Sequence, residues 1–208
     1  MNEAQQLLMT ALCFQVRVFD LGQVARCCAI SPSQAESLTA PLAKRGLISR
    51  IRLRVRPLAP PSGPLVRWKP GGPRPHAGRI SYHAKERYRS RSVEEITAIV
   101  PTGLALDIFG APKRKPFRRE CADHDLGVTE MWLYAYRRWP KVVRRCWQGE
   151  DQYVGERLKY EKVEDARLIN PRTEEPWMVF EYAGAYRKDR VESFHDYMEE
   201  QDLPYWLF

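Results

Sequence analysis

Residues 161–186, EKVEDARLINPRTEEPWMVFEYAGAY, place two segments rich in Val, Ile, Phe, Tyr and Trp around a turn. The segments are 163–169 and 177–183, and the loop between them carries Asn170, Pro171, Thr173 and Pro176. Strand formers flanking turn formers predict a β-hairpin. Pairing symmetric about Thr173 sets Ile169 opposite Trp177 and Asp165 opposite Glu181. The two-residue alternation of a strand then gathers Val163, Asp165, Arg167 and Ile169 on one face with Trp177, Val179, Glu181 and Ala183. Carboxylates facing each other across a ladder repel, and here their neighbours are largely apolar. Three things relieve such a pair: a bridging cation, neutralisation by Arg167, or a proton held by one of the acids. The first of these makes Asp165 and Glu181 candidate metal ligands.

Upstream of the hairpin, residues 125–139 carry Val128, Met131, Trp132, Ala135 and Trp139 at helical spacing, with Glu130 just off that stripe. Glu130, Asp165 and Glu181 are therefore expected to converge on a divalent cation. Hard oxygen ligands suit Mg²⁺ or Mn²⁺, and phosphodiester hydrolysis needs such an ion to activate water. Residues 142–147 and 152–158 read as strands or loop. Downstream, Val191, Phe194 and Met198 predict a helix over 190–201, and 203–208 a terminal apolar strand. Helix, strands, hairpin, helix, strand is the order of an α/β sandwich.

Charge separates this half from the front of the chain. Residues 120–208 hold 13 Lys/Arg and 19 Asp/Glu, residues 1–58 hold 8 and 3, and residues 59–119 hold 13 and 4. A basic front suits a polyanion. Helices are expected over residues 2–18 and 21–28. A third opens at Ser31, where Pro32 and Gln34 complete a capping box, buries Ala35, Leu38 and Leu42, and ends at Gly46. Next comes Ser49-Arg50-Ile51-Arg52-Leu53-Arg54-Val55-Arg56, a strand with one apolar face and one face of four guanidinium groups. Three helices followed by such a strand is the winged-helix order, with the third helix in the major groove and the strand along phosphates. Lys44 and Arg45 extend that surface, and the short segment 65–68 is a candidate return strand of the wing.

Residues 57–79, rich in Pro and Gly, read as a linker or irregular crossover. Ile80 to Ser92 interleaves basic residues with aromatics, which suits contact with a nucleic-acid strand and equally a half-buried β-strand or helix, while Val93, Ile96 and Ile99 suggest a short helix ending near Pro101. Residues 112–119, with Lys113, Arg114, Lys115, Arg118 and Arg119, form a basic loop that suits phosphate contact and a solvated loop equally. The expected layout is α+β: residues 1–58 a winged-helix DNA-binding domain, 59–119 a basic connecting segment, and 120–208 a restriction-endonuclease-like sandwich.

Glu164-Asp165-Ala166 followed by Glu181-Tyr182-Ala183 resembles a degenerate PD-(D/E)xK nuclease signature over residues 120–208. The resemblance implies that Asp165 and Glu181 are the catalytic and metal-binding acids. Ala183 stands where the family has its catalytic lysine, and alanine can neither orient nor deprotonate a water. Lys162 and Lys188 are the candidates for a migrated lysine. The whole chain is similar to replication-relaxation-type proteins of plasmids and mobile elements, with His124-Asp125-Leu126 matching a tripeptide that opens a helix in them. That similarity implies binding of double-stranded DNA in element replication or maintenance, with a nuclease fold that need not cut. An active Mg²⁺-dependent endonuclease, and a non-catalytic subunit of a larger nucleoprotein assembly, are the alternatives.

Other chemistry is weakly signalled. Cys121-x-x-His124 has zinc-like spacing but lacks a second pair, and His195 fits core packing better than base catalysis. Gly71-Gly72 is followed by Pro73, which removes a donor that a phosphate cradle needs. Five cysteines, unevenly spaced, suit reduced thiols, and no run of 18 or more apolar residues exists, so no membrane partner is expected. The first residues, MNEAQQLLMTALCF, lack a basic leader, so a cytoplasmic location is expected.

Overall fold

The computed structural model describes residues 1–56, 61–89, 91–112, 114–153 and 164–208. The fold is mixed α and β and divides into two compact units, Met1–Pro57 with Val93–Leu133, and Leu58–Ser92 with Tyr134–Phe208. The segment 59–119, expected to be a connector, is thus shared between them. No helix among the described residues is long and apolar enough to cross a membrane. The five cysteines are free thiols.

In the first unit, α1 (Glu3–Phe14), β1 (Phe19–Asp20), α2 (Leu21–Cys28), α3 (Pro32–Lys44) and β2 (Ile48–Val55) follow in order. Each helix opens on a capping box: Asn2 with Gln5, Asp20 with Gln23, Ser31 with Gln34. Gly46, at φ 69°, takes the left-handed conformation that turns the chain out of α3. The strand beside β2 is β4 (Glu94–Pro101), antiparallel, with Arg50 opposite Ile99, Arg52 opposite Thr97 and Arg54 opposite Glu95. Strand order is β1-β4-β2. The helix expected over 93–103 is therefore a strand. The middle strand of three, β4 buries Ala98, Ile99 and Val100 in succession, a run without the alternation of a half-buried strand that its helical spacing concealed. A short helix, α5 (Gly103–Phe109), follows.

Helix α6 (Ala122–Arg138) packs its first turns against the N-terminal helices. The Thr129 hydroxyl donates to the Val18 carbonyl at 2.6 Å, and the Trp132 indole donates to the Gln15 carboxamide at 3.1 Å. Trp132 is fully buried and meets Phe19 edge to face.

The second unit is built on a five-stranded sheet ordered β3-β8-β7-β6-β5. Its strands are β3 (Val66–Trp68), β5 (Trp147–Gly149), β6 (Ala166–Ile169), β7 (Pro176–Glu181) and β8 (Tyr205–Leu207). Only β7 and β8 run parallel, joined through α8 (Lys188–Glu200). Segment 65–68 is thus no return strand for β2, since β3 pairs with β8. Residues 80–89 resolve to helix α4 (Ala77–Arg89), which buries Ala77, Ile80, Ser81 and Ala84 at helical spacing. Residues 142–146 belong to helix α7 (Pro140–Cys146), opened by a proline at its first position. Residues 154–158 of the segment expected as strand or loop lie outside the described residues, as do Lys162 and Val163.

One face of this sheet buries Trp68, Val179 and Tyr205 against α4 and α8. The other carries Phe180 and Trp206, 5.6 Å apart between ring centres, with Trp147 and Trp139 packed on them. The terminal residues Trp206, Leu207 and Phe208 are buried core. Trp132→Ala is expected to lower the unfolding free energy by about 3–5 kcal/mol through the cavity it leaves. Trp132→Phe, which keeps a ring, should cost less, and urea denaturation followed by circular dichroism measures both.

Candidate nucleic-acid interface and buried acidic pair

The arginine strand forms as its alternation requires. Leu53 and Val55 are buried, while Arg50, Arg52 and Arg54 are exposed and Arg56 is half-buried. The row is not purely cationic, because acids approach from neighbouring elements. Arg50 pairs with Glu36 of α3, and Arg52 stands 3.5 Å from Glu95 of β4. Such exposed pairs contribute about 0–1 kcal/mol, so a phosphate can replace either carboxylate. Arg54 has no acidic partner among the described residues. Lys44 and Arg45, at the end of α3, are exposed. The backbone N–H of Arg56 donates to Asp123 at 2.8 Å.

The basic loop divides. Arg114 donates to the Leu12 and Val16 carbonyls, fastening the end of α1 rather than facing outward. Lys115 is exposed beside a hollow lined by Arg17, Phe117 and the start of α5. Lys113 lies outside the described residues.

The hairpin forms with one change of register. Arg167 faces Val179 and Leu168 faces Met178 as expected, but Ile169 faces Pro176, not Trp177. The turn closes on Asn170 and Glu175, with Glu174 at φ 61°, one residue out of phase with the ladder below. A bulge between Leu168 and Ile169 absorbs the difference. Below the bulge the register carries Asp165 to Glu181. The pair is reciprocal: the Asp165 backbone N–H donates to Glu181 Oε2 at 3.1 Å, and the Tyr182 backbone N–H donates to Asp165 Oδ2 at 2.7 Å.

Glu181 is buried, and it takes a hydrogen bond on Oε1 from the Tyr186 hydroxyl. Burial first, and the Asp165 charge second, push its carboxyl well above the usual carboxylate range. The Tyr186 hydroxyl, the Asp165 amide and Arg190, 4.0 Å away, oppose that shift without overcoming it. Arg167 is turned elsewhere. It stacks on the Tyr153 ring at 4.0 Å and donates to Gln148 at 2.9 Å. A retained proton is therefore the relief that this geometry favours.

The third expected ligand does not join the pair. Glu130 belongs to the first unit, where it accepts from Gln23 Nε2 at 3.0 Å and pairs with Arg26. No group of three or more His, Cys, Asp and Glu among the described residues could hold a metal ion. That includes the expected Glu130, Asp165 and Glu181 set and the Cys121–His124 spacing. The oxygens of the pair already serve main-chain amides and a hydroxyl, so they fit a structural role better than a cation's shell. Lys188 pairs with Glu192 at 3.4 Å, as neighbours one helical turn apart do.

Tyr186 and Arg190 complete the surroundings of Glu181 and were not singled out in the sequence. The available signal was their spacing, since the chain leaves β7 through Gly184 and turns back as α8 opens. Comparison of the chain with known families, curated proteins and solved structures returns no match.

A carboxyl raised on folding holds more protons folded than unfolded, between its ordinary value of 4.5 and its folded one. Its contribution is full below about pH 4.5 and is lost as pH rises through the folded value. Glu181→Gln is expected to remove that decline and to be more stable than the parent chain at alkaline pH, read from urea midpoints across the range. Loss of stability in the variant at every pH, with the decline intact, would show an ionised Glu181.

Proposed function

We propose that the chain is a nucleic-acid-binding protein. Its first unit is a winged helix that holds double-stranded DNA through phosphates, and its second is a nuclease-like domain that no longer cuts. The observation that carries this reading is the outward row of Arg50, Arg52 and Arg54 on β2, next to α3. The order α1, β1, α2, α3, β2, β4, with β4 between β1 and β2, supports a winged helix whose wing connection has been expanded by residues 56–93. In the second unit, an acid pair across a hairpin supports the nuclease-like resemblance. Ala183 in the lysine position and the amide-bonded acids support loss of cutting. The likeness to replication-relaxation-type proteins adds the biological setting, replication or maintenance of a plasmid or mobile element.

An active Mg²⁺-dependent endonuclease is the second reading, favoured by the adjacency of Asp165 and Glu181. Replacing Arg50, Arg52 and Arg54 together by alanine should weaken duplex binding and lower the slope of log affinity against log salt by about 3. An unchanged slope would remove β2 from the interface. In a plasmid-nicking assay with Mg²⁺ or Mn²⁺, the chain is expected to leave the plasmid intact. Metal-dependent cutting that disappears in both Asp165→Ala and Glu181→Ala would instead establish the endonuclease.

A further inference from the structure

The segment 64–83 folds into a groove of about 750 Å³ whose wall carries Arg67, Lys69, Arg74, His76, Arg79 and His83 and no carboxylate-bearing residue. Its floor is Trp68, buried, stacked on Tyr205 at 5.5 Å and edge-on to His195 at 5.0 Å. One wall is β3 and the turn after it. Gly71 in that turn has φ 73°, and a Cβ on Gly72 would stand 2.9 Å from the Lys69 carbonyl, so glycines set how Lys69 leaves the strand. The opposite wall is the start of α4, where the His76 ring accepts from the Arg79 backbone N–H at 3.1 Å and His83 follows one turn later. Prolines 64, 73 and 75 line the same space and stiffen it.

Two of the four permanent cations have other engagements. Arg67 donates to the Tyr134 hydroxyl at 2.6 Å and lies over the Trp206 ring, and Arg74 pairs with Asp196 at the surface. Lys69 and Arg79 are exposed and have no acidic partner among the described residues. Lys69 and Arg79, on opposite walls of a cavity whose lining holds no acid, are left for an anion to neutralise. The cavity is of ligand size yet open to solvent, which fits a chain passing across it better than an enclosed small molecule. Guanidinium forks beside a lysine match phosphate oxygens.

We propose that this groove is a second nucleic-acid contact, which grips the phosphodiester backbone between Lys69 on the β3 side and Arg79 on the α4 side. The inference rests on the nucleic-acid-binding reading and adds a site in the other unit. The test uses the full chain, labelled duplex and single-stranded oligonucleotides, and the variant Lys69→Ala with Arg79→Ala. Both side chains are exposed, and circular dichroism with thermal melting verifies that the variant folds.

The variant is expected to lose affinity on the order of 10-fold at about 0.1 M salt and to lower the salt slope by about 2. Acetylation of Lys69, read by mass spectrometry, should be blocked by bound oligonucleotide. A stronger effect with the single strand identifies an unpaired backbone as the occupant, and an equal or stronger effect with the duplex identifies paired DNA. Unchanged affinity and slope, in a chain whose binding falls when Arg50, Arg52 and Arg54 are replaced, would overturn the groove and leave the first interface standing. No binding by the parent chain would sink both. Protection of Lys69 by polyglutamate but not by nucleic acid would give the groove to an acidic protein instead.

Discussion

Buried polar groups at the opening of α6 must find partners in the N-terminal helices, and the first unit depends on that requirement. Asp125 is buried and meets Arg17 at 3.2 Å, and the Leu126 carbonyl and the Glu130 carboxylate both take hydrogen bonds from Gln23. Thr129 reaches the carbonyl of Val18, one residue before β1 begins. A buried donor or acceptor left without a partner costs about 1–3 kcal/mol, so these bonds admit few alternative placements of the helix. They fix the corner between α1 and α2, the corner fixes β1, and β1 is the strand that β4 pairs with on the side away from β2. The same opening turn of α6 packs Ala122 and Leu126 against Leu53 and Val55, the face of β2 opposite its arginines. The tripeptide His124-Asp125-Leu126 gains a structural account: its acid and its last carbonyl are fastening points.

The acid pair shows how the same residue types take different roles through their partners. Opposed carboxylates become a metal site when their oxygens face an opening and a third ligand stands near. Here each acid accepts from a main-chain amide beside the other, and the tyrosine after the turn covers the remaining oxygen of Glu181. Burial and the neighbouring Asp165 raise the Glu181 carboxyl, which favours its protonated form, and the hairpin end is closed by its own acids. The bulge between Leu168 and Ile169 matters for this outcome. It keeps the irregular turn from shifting the register at Asp165, where a slip of one residue would move an acid to the opposite face.

Local signals were legible in the sequence and long-range ones were not. The capping box at Ser31, the alternation of 49–56 and the pairing of Asp165 with Glu181 depend on neighbours a few residues away or on one tight turn, and each appears as read. The middle strand β4 was misread because Ala98, Ile99 and Val100, buried in succession, break the alternation, and Ile96 with Ile99 mimics helical spacing. The partner of β3 is the last strand of the chain, a pairing that no local pattern announces. Glu130 was placed with the wrong acids for the same reason. Its position beside the helix stripe was visible, whereas its engagement by Gln23 and Arg26 from a helix a hundred residues earlier was not. The basic groove was hidden by its own prolines and glycines, which read as linker while they shape its walls.

The interleaving of the two units bears on how the chain is made. A ribosome delivers α1 through β2 first, yet their sheet stays open until β4 emerges, because the residues between them belong to the other unit. Those residues in turn hold out Val66 and Trp68 until Tyr205 and Leu207, about 140 residues later in the sequence, supply the partner. Contacts so distant in sequence form slowly, since loop closure must precede their reward. Between the emergence of β3 and that of β8 the growing chain therefore carries an uncovered strand edge with a tryptophan on it, the kind of surface that chaperones engage. A product cut short before β8 would keep that edge of β3 exposed.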